Sequence, residues 1–222
     1  MDNDKKSIVQ AIKQPVLITL ILMIVCGLIF PLGMTALANV IFPKQANGSI
    51  VYADGEAVGS EYIGQEFSED YFLKGRPSAY HYNTYTKAEN GKMYFSDGNE
   101  FTAPSSGSNN YAPSNPDLIS RIENDTQNII KSNTGVNKED IPADLYTASG
   151  SGLDPHISVE SAMLQIHTIS ENSGISEERL KEIIDENTSD KLLGIFGAEV
   201  VNVLGVNMKI AKEIGIVSEI NK

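Results

Sequence analysis

The sequence predicts an α+β protein: a single N-terminal transmembrane helix followed by one mixed soluble domain. Three observations lead there. Residues 16–42 form a run of 27 positions without a charged side chain. The chain beyond them alternates short β-type runs with helical stripes, and at about 180 residues it is long enough to bury one core.

The apolar run comes first. At about 1.5 Å of rise per residue it reaches roughly 40 Å as a helix, and a bilayer core needs only about 20 helical residues. One isolated span must be a helix, because nothing else satisfies its own backbone in lipid. Between Val16 and Leu28 it is apolar all round, which excludes a half-buried core helix. A cleavable leader is the competing reading, since Ala36-Leu37-Ala38 offers small residues at a cleavage spacing and Lys5, Lys6 and Lys13 precede the run. A leader's apolar core is usually about 7–15 residues, shorter than this one. Pro31 and Gly33 predict a late break, with the chain leaving the membrane near Asn39. The expected layout is a stub over residues 1–15, a transmembrane helix over 16–38 and a soluble domain over 43–222. Thr19, Gly27, Gly33, Thr35 and Ala36 can pack against other helices or simply face lipid.

Charge predicts orientation. The stub has three lysines against Asp2 and Asp4, whereas the part from Pro43 onward holds 14 basic and 27 acidic residues, a net of −13. Basic flanks stay in the cytoplasm, so the expected topology is a cytoplasmic N-terminus and an extracytoplasmic domain at the cell membrane. The acidity excludes nucleic acid and anionic lipid as the main partner of the domain, leaving membrane lipid around the anchor only. Cys26 is the only cysteine and lies in the apolar run, so the domain has no disulfide or thiol chemistry.

Within the domain, Ser49 to Tyr52 reads as a strand ending in a turn at Asp54-Gly55, and Ile63 to Phe67 as another strand. Residues 74–117 are rich in Gly, Pro, Ser, Asn and Tyr and read as ordered loop, with a hairpin around Asp97-Gly98. A helix is expected from Pro116 to about Ser132, with Leu118, Ile122, Ile129 and Ile130 as its stripe, and a short turn from Pro142 to Leu145. Asp154 reads as an N-cap and Pro155 as the first position of a helix. Val159, Ala162, Met163, Ile166 and Ile169 carry that helix to a cap at Gly174. Ser176 caps the next, with Leu180, Ile183 and Ile184 buried. Val200 to Val206 reads as a strand, and Met208 to Ile214 as the last helix.

Candidate chemistry is sparse. Ser149, Ser151, Asp154 and His156 lie within one stretch, but triad members normally meet through the fold, and no Gly-x-Ser-x-Gly elbow is present. A Gly-rich turn is the plainer reading, and a membrane-anchored hydrolase using Ser151 and His156 the unfavoured one. His81, His156 and His167 show no ligand spacing, so no metal site is expected. No P-loop or dinucleotide fingerprint occurs. Arg76, one of three arginines, has stiff, small neighbours, and pairs either with a carboxylate in the domain or with a partner. Gln165 reads as a polar residue on a helix face.

Three phrases exceed what a generic domain needs. They are Tyr71-Phe72-Leu73-Lys74-Gly75-Arg76-Pro77-Ser78-Ala79, then Pro113-Ser114-Asn115-Pro116-Asp117-Leu118, then Pro142-Ala143-Asp144-Leu145 continuing to Ala148-Ser149-Gly150-Ser151-Gly152-Leu153-Asp154-Pro155-His156. With Val201-Asn202-Val203-Leu204 and the anchor, the chain resembles the C subunit (KdpC) of the bacterial Kdp potassium-transporting P-type ATPase along nearly its whole length. Residues 87–101 look like an insertion. His167, Thr168 and Asn172 stand where that family has basic residues, and Glu199-Val200 where it tends to have Pro-Arg. The resemblance implies a non-catalytic accessory subunit of ATP-driven, high-affinity potassium uptake, needed for assembly and activity. Its partners would be the channel-like A, ATPase B and small F subunits. No tightly bound cofactor is implied; ATP and potassium act at the level of the complex. A family proposal makes this subunit a catalytic chaperone raising the ATP affinity of the B subunit, with Gln165 in the matching position. The predicted topology opposes that role, because an outside domain cannot touch cytoplasmic ATP. It favours an acidic outer domain that assists potassium access. Gly75, Arg76, Pro77, Ser78, Pro113, Ser114, Asn115, Pro116, Ser149, Gly150, Ser151, Gly152, Asp154, Pro155 and His156 are the family-phrase positions, expected to be structural or interfacial.

Overall fold

The computed structural model describes residues 2–133, 135–191 and 193–221, in two units, Met1–Ser49 and Ile50–Lys222. The first unit is helical. Helix α1 (Asp2–Ile24) passes through a π-helical turn (Val25–Ile29) into α2 (Phe30–Ile41), followed by the short α3 (Pro43–Ala46). Ile12–Ile41 forms one continuous helical span of 30 residues, whose most apolar 18-residue stretch has mean hydropathy 2.8 and is not buried by protein. The expected break at Pro31 and Gly33 does not occur. The Phe30 N–H donates five residues back, to the Val25 carbonyl. This wider turn lies immediately before Pro31, whose missing N–H and ring would otherwise disturb an α-helical interior.

The second unit is the mixed domain. Strands β1 (Ile50–Ala53) and β2 (Glu56–Ser60) form a hairpin around Asp54 and Gly55, both at positive φ (49° and 85°), as a two-residue Asp-Gly turn requires. The C-terminal β8 (Ile220–Asn221) pairs antiparallel with β1, and the Asp54 carboxylate accepts from the backbone N–H groups of Ser218 and Glu219 beside it. The Ile63 to Phe67 strand is absent. Only a Ser60–Ile63 bridge forms, and Gly64 donates to the Leu153 carbonyl while Gln65 donates to that of Val58.

The hairpin of this region forms earlier than expected, β3 (Thr86–Lys87) with β4 (Met93–Tyr94), turning near Gly91; around Asp97-Gly98, where the hairpin was expected, there is a turn closed by an isolated Tyr94–Glu100 bridge. Phe101 is buried in it between Tyr85 (4.5 Å between ring centres) and Phe95 (5.4 Å). Helix α4 (Pro116–Ser132) has the predicted bounds, with the Asn115 side chain capping it through the Asp117 N–H at 2.8 Å.

A second sheet has the order β5 (His156–Ile157), β7 (Val200–Asn202), β6 (Thr188–Ser189), all antiparallel. Helices α5 (Val159–Ser173), α6 (Glu177–Asp185) and α7 (Val203–Glu213) supply most of the remaining core. Ile166, Ile169, Leu180, Ile183, Ile184, Val201, Val206 and Ile210 form it. Leu204 and Met208, on another side of α7, pack with Val51 and Ala53 of the first sheet. Two boundaries differ from the sequence reading. Asp154-Pro155 does not open α5: Asp154 Oδ1 accepts from the His156 N–H at 3.1 Å, but His156 and Ile157 are extended and pair with β7, so Ser158 caps the helix, accepting from the Ser161 N–H at 3.1 Å. The Val200 to Val206 run is a strand only to Asn202, whose side chain caps α7 through the Gly205 N–H at 2.8 Å. A helix buried on two sides loses the polar face that marks it in a sequence.

Candidate functional site

The first and third family phrases converge on one knot built around an extended segment, residues 72–78. This segment belongs to no sheet, so its backbone needs other partners. Two side-chain amides provide them. Asn207 of α7, fully buried, accepts from the Leu73 N–H at 2.7 Å and donates to the Leu73 carbonyl at 2.8 Å. Gln165 of α5, 5% exposed, accepts from the Lys74 N–H at 2.9 Å and donates to the Lys74 carbonyl at 3.2 Å. Its amide also donates to the Ser161 carbonyl at 3.1 Å. Two consecutive residues are thus held by amides from two helices, much as strands on either side would hold them. Leu73 is driven fully into the core between them.

The clamp aims the next residues at the 147–156 stretch. The Arg76 guanidinium donates to Asp154 Oδ2 at 3.3 Å and to the Thr147 carbonyl at 3.4 Å, while its buried Nε has no hydrogen-bond partner. Ser78 Oγ donates to the Gly152 carbonyl at 2.6 Å. Gly152 has φ 65°, and a Cβ there would stand 2.4 Å from the Gly107 carbonyl oxygen, so the phrase needs glycine. Pro155 lends its carbonyl to the Val203 N–H at 3.0 Å.

After Ser78 the chain makes a strained turn: His81, Tyr82 and Asn83 all have positive φ, 46°, 53° and 57°. Each non-glycine residue there costs about 1–2 kcal/mol, so its surroundings must hold it. Ser78 Oγ accepts from the Tyr80 and Tyr82 N–H groups, and the Tyr82 hydroxyl donates to the Arg76 carbonyl at 2.7 Å. Burial, with the Asp154 charge nearby, pushes the Tyr82 hydroxyl up to about 12. His81 lies 3.3 Å from Glu66 and 3.2 Å from Asp97, and Ser96 also donates to Glu66, which ties the hairpin at 86–94 to the knot.

Between this turn and α4 runs a cleft in two adjoining parts, about 620 and 260 Å³, sharing Glu66, Pro77, Ser78, His81 and Asp125. Arg76 and Arg121 also line it. Burial raises the Asp125 pKa, and the Arg121 charge, 3.4 Å away, opposes the shift. Arginines and carboxylates thus both line this cleft.

The structure does not assemble the Ser-Asp-His constellation. His156 Nδ1 is 3.8 Å from Asp154, but Ser151 Oγ accepts from the Leu153 N–H, and no hydrogen bond joins it to His156 among the described residues. Ser149 and Gly150 lie in the turn leading to it. Pro113, Ser114, Asn115 and Pro116 form the entrance to α4, away from this contact. No group of three metal-ligating side chains occurs among the described residues. Sequence reasoning missed Asn207 and Asp144. Asn207 was detectable as the one polar residue inside the apolar stretch from Val203 to Met208. Asp144 accepts from the Ser158 N–H (2.6 Å), the Ser158 hydroxyl (3.1 Å) and the Ser161 hydroxyl (2.5 Å). Burial alone would raise its pKa; these bonds, Ser161 first, outweigh burial and hold it below the usual carboxylate range.

Comparison with known proteins agrees with these phrases. The family described as "KdpC: K+-transporting ATPase, c chain" matches residues 12–212. A Clostridium kluyveri protein named "Potassium-transporting ATPase KdpC subunit" is 50% identical over 207 residues, 93% of this chain and 96% of its own length. One of the same name from Clostridioides difficile is 47% identical over 209 residues, covering 94% of this chain and 100% of its own length. A third, from Caldanaerobacter subterraneus subsp. tengcongensis, is 42% identical over 205 residues, 92% of this chain and 96% of its own. The chain therefore belongs to the KdpC family of K+-transporting ATPase c chains.

Proposed function

We propose that the protein is a non-catalytic accessory subunit of an ATP-driven potassium uptake complex, holding together the channel-like A, ATPase B and small F subunits. One observation carries this reading. The polar side chains at the centre of the knot bond within the domain: Gln165 to Lys74, the Arg76 terminal nitrogens to Asp154 and Thr147, and Ser78 to Gly152. Such a site shapes a surface and offers no nucleophile with a base beside it. The chain needs no tightly bound cofactor of its own, and ATP and potassium act at the level of the complex. The test is potassium-stimulated ATP hydrolysis by the complex purified with and without this chain. Loss of activity or assembly without it, together with no hydrolysis by the chain alone, is expected. Full activity in its absence refutes the reading.

Within that role, the domain acts outside the membrane and assists potassium access through its acidic surface. The motivating observation is the net charge of −13 beyond Phe42. Clefts and surfaces of one sign concentrate counter-ions, an effect that salt screens. Protease added to intact, wall-stripped cells should digest the domain. Protection until the membrane is opened would reverse the topology and favour the nucleotide-chaperone reading of Gln165. Neutralising several surface carboxylates should raise the potassium KM at low ionic strength; an unchanged KM removes the electrostatic role.

A further inference from the structure

An open groove of about 650 Å³ runs between the 135–142 segment and the outer face of α5. It lies apart from the knot and its cleft. Its floor is apolar. Val159 and Met163, four residues apart and so on one face of α5, stand beside Leu164, with Val136 and Ile141 opposite. Val159 and Met163 are only partly covered by the core they pack on. The rim is acidic: Glu139 and Asp140 on one side, Glu160 on the other. All three are exposed, and no ion pair joins any of them to Lys138 or another cation among the described residues. The backbone here is fixed by a capping box, the Asp140 carboxylate taking the N–H of Asn137 at 3.3 Å and its side-chain amide at 3.0 Å.

An apolar floor calls for apolar side chains, and a flexible thioether such as Met163 adapts to their shape. Three unneutralised carboxylates call for positive charge at the ends of whatever lies there, and they repel anionic lipid and other acidic surfaces. The size falls within the roughly 300–1,000 Å³ of sites that hold a small molecule or a few side chains. We infer that this groove docks a short apolar segment flanked by Lys or Arg, belonging to another subunit of the same complex. The inference rests on the accessory-subunit reading above. A second copy of this chain fits less well, because its domain is itself strongly acidic.

The experiment places a photoreactive benzoylphenylalanine at Met163 in the full chain, in the assembled and solubilised complex, and identifies the cross-linked peptide by mass spectrometry. The expected product is an apolar peptide with Lys or Arg beside it from another subunit. Reversing the rim with Glu139→Lys and Glu160→Lys, and keeping Asp140 because its carboxylate closes the capping box, should lower that cross-link by about tenfold, the equivalent of about 1.4 kcal/mol. The same reversal leaves the apolar core untouched, so an unchanged thermal melting profile separates lost docking from misfolding. Cross-links to lipid, to this chain itself or to an acidic segment, or none in an intact complex, overturn the inference while sparing the accessory role. A chain that purifies without any other subunit overturns both.

Discussion

Gln165→Ala tests whether this residue is a clamp. The side chain is 5% exposed and makes three hydrogen bonds, two of them to the Lys74 backbone. Truncation leaves the Lys74 N–H and carbonyl without partners; a buried polar group so stranded costs about 1–3 kcal/mol. The shortened side chain also leaves a small void, so a total of about 3 kcal/mol is reasonable. For a domain of this size each kcal/mol lowers Tm by about 2–4 °C, which predicts a fall of about 6–12 °C. Thermal unfolding of the full chain in detergent, followed by circular dichroism, measures it. Gln165→Glu adds a control. Its carboxylate still accepts from Lys74 N–H but faces two carbonyl oxygens, so it should destabilise more at neutral pH than near the pKa of a carboxylic acid, where protonation restores a donor. A Tm within about 2 °C of the parent for Gln165→Ala would refute the clamp. Paired with a raised ATP KM in the complex, it would instead make Gln165 a nucleotide contact.

Three further outcomes follow from the same geometry. Gly152→Ala forces a Cβ to within 2.4 Å of the Gly107 carbonyl at φ 65°, and should destabilise by more than about 1 kcal/mol in urea unfolding; a neutral result means that the 105–110 loop yields. Arg76→Met and Asp154→Ala should be non-additive, with a coupling of about 1 kcal/mol in a double-mutant cycle, whereas additivity within about 0.3 kcal/mol would make their contact incidental. Asp144 has a folded pKa below its unfolded value of about 3.9, so it contributes stability above that pH and loses it as pH falls through the folded value. Asp144→Asn should therefore lower Tm at pH 7 and converge with the parent under strongly acid conditions; a gap constant from pH 7 down to pH 2 would contradict that assignment.

The apolar span, the turn at Asp54-Gly55, α4 and the α5–α6 pair with its Gly174 and Ser176 caps were legible because each rests on local rules. A charge-free run, a turn needing positive φ and a 3.6-residue stripe are all written in neighbouring residues. The exact start of α5 was not, since Asp154 and Ser158 are both competent caps and the pairing of His156 and Ile157 with the distant β7 left the helix to the second. α7 was not legible as a helix in its first turns because burial against both apolar clusters removed its polar face. The family phrases could be read as important from their composition alone, but not why. Their partners lie far along the chain: Gln165 meets Lys74 across 91 positions, and Asn207 meets Leu73 across 134. The sequence alone determined an apolar span long enough to cross a membrane, the acidity and the family, because these depend on composition and on runs of residues. Only the tertiary structure decided that Gln165 and Arg76 face inward, because a side chain's role is set by which unpaired backbone and which opposite charge the fold brings to it.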